Sequence, residues 1–466
     1  MSTIQDSVER EDNHRHFLES TREHVLMLTT HGVHQWQVMP GLPDTGGQNV
    51  FVNQFSQALV DQGYRVTIAN RGGYPHPLTH EFQQGLHYKD AYQRLVYLED
   101  GHASFVRKED MADHVQRLAQ SLDEILGHEG DSLRVIISHY WDAARVGEIY
   151  NNAREHPLLH VWVPHSLGMV KSKNVSAQQR KQLRIEERIA IERQVLSKIP
   201  VAAATSSRIM ASLIEDYGFA GRIPFLPPCI DPLRFHPAQI EADDEIWNFL
   251  AELGHVDQAR LREGRIISEI SRTDRTKRKD ILLRALGKVL DVEPEVFLVL
   301  SIDPRSEQLA DALRALIAEL GIGGNVIVVG SVWDRLPKIY AISDIYCTPS
   351  VMEGFGMSAQ EAAATGVPVV ASELVPFVVE YLMGEQFEEI ACADCAQPIR
   401  VGRGAITVTA DDINGFAQAM LRLLQNPQLS KALGQSALAS TVPYFTWPNR
   451  TGAFLHEIGL SVGRDG

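Results

Sequence analysis

The chain has 466 residues and a formal charge of −15, from 44 Lys+Arg against 59 Asp+Glu. Hydrophobic residues at 44% and charged residues at 22% are ordinary globular values, which excludes disordered, collagen-like and low-complexity classes. The length predicts about two or three domains, and the acid excess argues against a nucleic-acid binder because it repels phosphate backbones.

The first twenty residues are polar and charged, without the features of a secretory leader, and no apolar run reaches 18 residues. A cytoplasmic protein with no membrane segment is expected. In chain order, 25–30 (VLMLTT) reads as a buried strand and 48–62 as a helix with Val50, Phe51, Phe55 and Leu59 on its apolar face. Strands follow at 66–69, 135–137 and 161–163, and a long polar helix is predicted over 177–198. Ile223–Pro237 is proline-rich and reads as a linker. The alternation then restarts, with strands at 265–271, 296–302, 325–330, 345–348, 368–371 and 405–409 and a helix over 306–320. Strands alternating strictly with helices predict βαβ units, parallel sheets and two α/β domains of similar size. Ligands of such sheets sit beyond the carboxyl ends of the strands, which predicts an interdomain cleft. Cys392-x-x-Cys395 has no second pair or nearby His for zinc, so its cysteines read as incidental loop thiols.

Four segments carry chemistry. Asp44-Thr45-Gly46-Gly47-Gln48 stands between the first strand and first helix, where glycines permit close backbone approach and a helix start favours anions. A plain flexible loop fits those five residues equally well. Arg272, Arg275, Lys277, Arg278 and Lys279 crowd five cations into eight positions at a helix start, against the helix dipole. That placement suits a polyanionic leaving group, which needs cations where charge develops. In Glu353-Gly-Phe355-Gly356-Met357-Ser-Ala-Gln-Glu361, Ser358 and Glu361 fit a capping box, whereas Glu353 has no such structural reason. Backbone N–H groups of Phe355, Gly356 and Met357 could face a diphosphate. His165, in Pro164-His165-Ser166-Leu167-Gly168, ends a strand and is followed by Lys171 and Lys173.

Taken in order, DTGGQ, HSLG with its lysine, SRTD..K and the E-x7-E pair span most of the chain. The sequence thereby resembles the retaining GT-B glycosyltransferases of the GT4 type, within them the sucrose-phosphate synthase, sucrose synthase and mannosylfructose-phosphate synthase group. The resemblance implies two Rossmann-like domains with parallel sheets facing a central cleft. The acceptor domain would cover 1–228 with a returning C-terminal helix at 448–466, and the nucleotide-sugar domain 229–447. Arg272 and Lys277 would hold the donor diphosphate, Glu353 the donor sugar and Glu361 the ribose. Gly46, Gly47 and Gln48 would line the reacting centre, and His165 would orient the donor sugar. Lys108, Lys171 and Lys173 would receive an acceptor phosphate, bordered by Tyr140, Trp141 and Asp142.

The family's mechanism, front-face attack with retention, needs no protein nucleophile. No Asp-x-Asp occurs, so neither catalytic metal nor other cofactor is expected. UDP-glucose is the leading donor, and a small sugar or sugar phosphate, such as fructose 6-phosphate, the expected acceptor. GDP-mannose, a glycan or lipid-linked acceptor, or a non-catalytic sugar-nucleotide binder are the alternatives. Departures from the pattern are His102 for a basic residue ahead of Lys108, Cys229 after Pro227-Pro228, Gly354, and Glu373–Phe377 in place of a Gly-rich loop. No nucleic acid or membrane partner is expected.

Overall fold

The computed structural model describes residues 2–39, 42–173, 175–330 and 332–461. The chain divides into two compact units, Met1–Cys229 with Trp447–Gly466, and Ile230–Thr446. Both are Rossmann-like α/β units built on mostly parallel sheets.

The sheet of the first unit has strands β1 (His24–Leu28), β2 (Arg65–Arg71), β3 (Leu86–Tyr88), β4 (Gln93–Leu98), β5 (Leu133–His139), β6 (Leu159–Val163) and β7 (Val201–Ala202). Their order is β3-β4-β2-β1-β5-β6-β7, parallel except at β3. Along β1, Leu26 and Leu28 turn to one apolar layer with Trp141 and Trp162, while Val25 and Met27 turn to the other with Phe51, Phe55 and Phe454. Burial on both faces explains why these strands read as continuous apolar runs. The helix Trp447–Ile458 belongs to this unit: Trp447 stacks on Phe55 at 5.6 Å and donates its indole N–H to Gln54 at 3.1 Å. Of the expected 448–466 helix, residues 462–466 lie outside the described residues.

The sheet of the second unit runs β10-β9-β8-β11-β12-β15-β14-β13. Its strands are β8 (Arg265–Glu269), β9 (Val296–Ser301), β10 (Val326–Val329), β11 (Ile345–Thr348), β12 (Val369–Ser372), β13 (Glu388–Ile390), β14 (Ile399–Val401) and β15 (Ala405–Val408). Only β14 runs against the others, pairing antiparallel with both β13 and β15. In each sheet the strand order reverses once, between β1 and β5 and between β8 and β11. Ligands of doubly wound folds bind at the carboxyl ends of the strands flanking such a reversal. At or just beyond the carboxyl ends of β1, β5, β8 and β11 stand Asp44–Gln48, His139–Asp142, Arg272–Lys279 and Glu353–Met357.

Two expectations change. The helix over 177–198 is broken into Ala177–Gln182 and Ile185–Leu196, because Arg184 between them adopts a left-handed φ of 47°. Cys392 and Cys395 are not loose thiols but form a disulfide in the segment between β13 and β14. Cys229, a departure from the family pattern, is buried and takes no left-handed conformation. No helix among the described residues is long and apolar enough to cross a membrane.

Candidate active site

In the first unit, β6 ends in a three-residue turn centred on His165. The Ser166 N–H reaches back to the Pro164 carbonyl at 2.5 Å, and His165 is held at φ 54°. A bulky residue in a tight left-handed turn is strained, and such strain persists where surrounding structure enforces it. The enforcing group is the buried pair Arg188–Glu192 on the helix Ile185–Leu196. Arg188 bonds Glu192 at 2.8 Å, the Tyr140 hydroxyl at 2.7 Å and the Ser166 carbonyl at 2.5 Å. Glu192 accepts the Gly168 N–H at 3.0 Å and the Tyr217 hydroxyl.

Beside Arg188 lies a shallow concavity lined by Lys108, Tyr140, Trp141, Lys171, Arg184 and Arg188, with Glu109 and Glu187 also on its wall. The Lys171 ammonium has no hydrogen bond or ion pair among the described residues, and burial, then Arg188 and Lys108, push its pKa down. Lys108 pairs with Asp44, whose carboxylate also accepts the Lys108 N–H at 2.9 Å. Although burial works to raise it, that pairing holds the Asp44 carboxyl below its usual range. Gly32 underlies this link. At φ 72°, a Cβ there would lie 2.4 Å from the Asp44 carbonyl oxygen. A Cβ at Gly46, by contrast, would meet nothing within 4 Å, so the protein's own packing does not demand that glycine. Gly47 opens the helix Gly47–Asp61, and Gln48 reaches Thr29 Oγ1 at 3.3 Å.

Two expected contact residues are placed differently. Asp142 is fully buried, accepting Thr30 Oγ1 at 2.6 Å and His31 Nδ1 at 3.0 Å, so it faces His31 rather than open space. Lys173 is paired with Asp216 at 2.8 Å and does not line the concavity with Lys108 and Lys171.

In the second unit the five cations divide. Lys279 is buried and bound to Glu269 at 2.5 Å and the Ser301 carbonyl at 2.8 Å, a structural role. Arg278 pairs with Asp280 and Asp411. Lys277, nearly buried, pairs with Glu353. Arg272 and Arg275 are exposed, without an ion pair among the described residues. The local positive charge read from the sequence is therefore largely answered by carboxylates before any ligand arrives. The Val351 N–H to Thr276 carbonyl bond, 2.8 Å, brings the 272–279 and 350–361 segments together.

The helix Met357–Ala364 starts at Gly356, not at Ser358, so the capping-box reading of Glu361 does not hold. Gly356 has φ 111°, and a Cβ there would press on Val375 at 2.7 Å. The Phe355 side chain is core, packed on Phe377 and Phe445, which leaves only its backbone to a ligand. Glu361 lies beside the Tyr340 hydroxyl at 3.4 Å. Burial pushes its pKa up to about 7 against the pull of Arg234. No group of three His, Cys, Asp or Glu able to hold a metal is found among the described residues.

Both halves of the chain match glycosyltransferase family models. Residues 45–234 match Glycosyltransferase Family 4, and 256–439 match Glycosyl transferases group 1. The chain belongs to the GT-B glycosyltransferases of the GT4 type. This glycosyltransferase is 26% identical over 454 residues to mannosylfructose-phosphate synthase of Agrobacterium fabrum, covering 94% of the chain and 91% of the relative. It is likewise 26% identical over 430 residues to D-inositol 3-phosphate glycosyltransferase of Corynebacterium jeikeium, covering 90% and 92%. The structure of sucrose-phosphate synthase from Thermosynechococcus elongatus shares the fold, with a TM-score of 0.72 at 22% identity over 92% of this chain and 96% of that one.

Around the candidate residues, sequence reasoning missed His31, His139, Arg184, Arg188 and Glu192 in the first unit, and Arg234 and Tyr340 in the second. Arg188 and Glu192 stand four apart, a spacing that signals a helix-surface ion pair and gives no hint of burial. Arg234 stands in the proline-rich linker, stacked on Trp333 at 3.9 Å, where nothing local marks it.

Proposed function

We propose that this glycosyltransferase moves a hexose from a nucleoside-diphosphate sugar, UDP-glucose first among donors, to a phosphorylated sugar, fructose 6-phosphate first among acceptors. The transfer proceeds with retention and without a catalytic metal. The observation that carries the acceptor reading is Lys171, a half-buried cation with no carboxylate partner, set near Lys108 and Arg188 in one concavity. An uncompensated cation of this kind is relieved by a dianion, and a hydroxyl alone would not relieve it. Mannosylfructose-phosphate synthase and D-inositol 3-phosphate glycosyltransferase each carry a phosphate in their names, which supports the same class.

For the donor, Arg272 and Lys277 meet the diphosphate and stabilise charge as the nucleoside diphosphate departs. The helix start at Gly356 adds N–H groups of the right polarity. Glu353 takes hydroxyls of the sugar and Glu361 those of the ribose. The acceptor hydroxyl enters on the face the leaving group vacates, and the leaving phosphate takes its proton. His165, whose pKa is driven down to about 3 by burial, stays neutral and orients the sugar without titrating.

The test is a matrix of nucleotide sugars against sugar phosphates, free sugars and polyol phosphates, scored by nucleoside diphosphate release. Fructose 6-phosphate with UDP-glucose should give the fastest release, and product NMR should show the donor's anomeric configuration kept. Faster turnover with unphosphorylated than phosphorylated acceptors would overturn the acceptor reading. EDTA should leave the rate unchanged, and a loss restored by Mn²⁺ would overturn the metal-free one.

A further inference from the structure

His139, the last residue of β5, is fully buried, and no role has been given to it so far. Its Nδ1 lies 2.9 Å from Nε2 of His165, with the ring centroids 5.2 Å apart and the planes 29° from parallel. Its other nitrogen, Nε2, is buried without a hydrogen-bond partner among the described residues. Phe51 and Phe55 stand against the same ring, at 5.9 and 6.5 Å.

Both imidazoles are uncharged. Burial, then the neighbouring His165 and His34, takes the His139 pKa well below the usual value, and burial does the same to His165. Each neutral ring carries one proton. Only one proton fits on the 2.9 Å line between them, so its owner fixes the tautomer of both rings. If His165 owned it, the proton of His139 would stand on Nε2 as an orphaned N–H sealed among phenylalanines. Buried N–H groups without partners are rarer in native proteins than under-satisfied acceptors. If His139 owns it, the orphan is a bare lone pair, and the proton of His165 stands on Nδ1. That nitrogen has no hydrogen-bond partner among the described residues, and His165 is not fully buried.

We propose that His139 is a positioning residue whose Nδ1–H locks His165 in the Nδ1–H tautomer, so that His165 presents a hydrogen-bond donor to an oxygen of the bound donor sugar. This rests on the reading of His165 as a sugar contact. The left-handed turn fixes the backbone of His165, and His139 fixes what its ring offers. Wrong tautomers at catalytic imidazoles cost orders of magnitude in rate while leaving geometry intact.

Two near-isosteric replacements separate positioning from packing. In His139→Asn the side-chain amide can donate to His165 Nε2; in His139→Leu nothing can. Expected for UDP-glucose with fructose 6-phosphate is a kcat within about threefold of wild type for H139N. For H139L a loss of about tenfold or more is expected, with the fructose 6-phosphate KM within about twofold. Equal losses in the two variants, or an H139L kcat within twofold of wild type, would overturn the proposal. Histidine ¹⁵N spectra, assigned by the signal missing in a His165→Gln variant, should show His165 protonated at Nδ1 in wild type and H139N. A wild-type spectrum with the proton on Nε2 overturns the proposal whatever the kinetics. That spectrum needs no turnover. A wild type inert with every donor and acceptor would sink the proposed function and leave the tautomer to be decided by the spectrum alone.

Discussion

Lys171, after β6 in the first unit, and Lys277, after β8 in the second, both follow parallel strands, yet their ammonium groups stand in opposite conditions. Burial first, then Arg188 and Lys108, lowers the pKa of Lys171, while Glu109 and Asp44 oppose them without bonding its ammonium. Lys277 is already bound to Glu353. On the proposed function, a phosphate at Lys171 would relieve a cluster of cations. A diphosphate at Lys277 would have to share the ammonium with Glu353 or displace it, and a displaced Glu353 would be free to accept sugar hydroxyls. The Lys171 ammonium is thus unpaired, and the Lys277 ammonium is already neutralised. Counting cations in a sequence cannot separate the two situations, because the count omits who is already paired.

Four measurements break or sharpen that contrast. The largest effect is expected where the first site is built: Arg188→Ala leaves Glu192 buried without its partner and should cost about 3–5 kcal/mol in chemical denaturation. A loss below about 1 kcal/mol would show that the pair does not support the His165 turn. Next, Lys277→Ala should lower kcat by about 10²–10³ with the fold intact, as for loss of a charge-stabilising donor. Unchanged turnover would remove Lys277 from the reacting centre.

Third, Lys171→Ala should raise the KM for a phosphorylated acceptor by about tenfold or more, and leave an unphosphorylated one within about twofold. Its near neighbour supplies the control, since Lys173→Ala removes an exposed pair and should change either KM by less than about threefold. If both lysines behave alike, the distinction between free and paired cations fails. The smallest effect concerns Glu361. Its folded pKa of about 7 stands above the ordinary 4.5, so the protonated form is favoured on folding. Its contribution to stability is complete below pH 4.5 and is lost as pH rises through about 7. Ribose recognition by the carboxylate runs the other way: nucleotide affinity should rise about tenfold between about pH 6 and 8. Glu361→Gln should abolish that slope in calorimetric titrations with UDP.

Most of the parallel core was legible, because a strand buried on both faces must be apolar throughout. The edges were not. β3 and β13 are largely exposed, and nothing hydrophobic marks them. β4 escaped for the opposite reason. Its Gln93 and Arg94 are buried, donating to Ser56 and to Glu129 and Thr67, partners distant in sequence. The helix break at Arg184 has no glycine or proline to announce it. At the site, residue types and loop positions were readable, but allegiance was not. Lys279, Asp142 and Lys173 are committed to Glu269, His31 and Asp216 by contacts that only the fold creates. The buried members, His139 and Arg188 among them, look in the sequence like ordinary helix and strand polar residues.

The helix Trp447–Ile458 belongs to the unit that opens at Met1, which makes residues 230–446 an insertion within that unit. During translation the inserted unit is complete before Trp447 exists, and domains generally fold as units while the chain is still emerging. The packing of Trp447 on Phe51 and Phe55 is therefore the last part of the first unit's core to be laid down, although Phe51 and Phe55 are among the first aromatics made. A ribosome stalled before codon 447 should carry a protease-resistant second unit beside a first unit that is still cleavable.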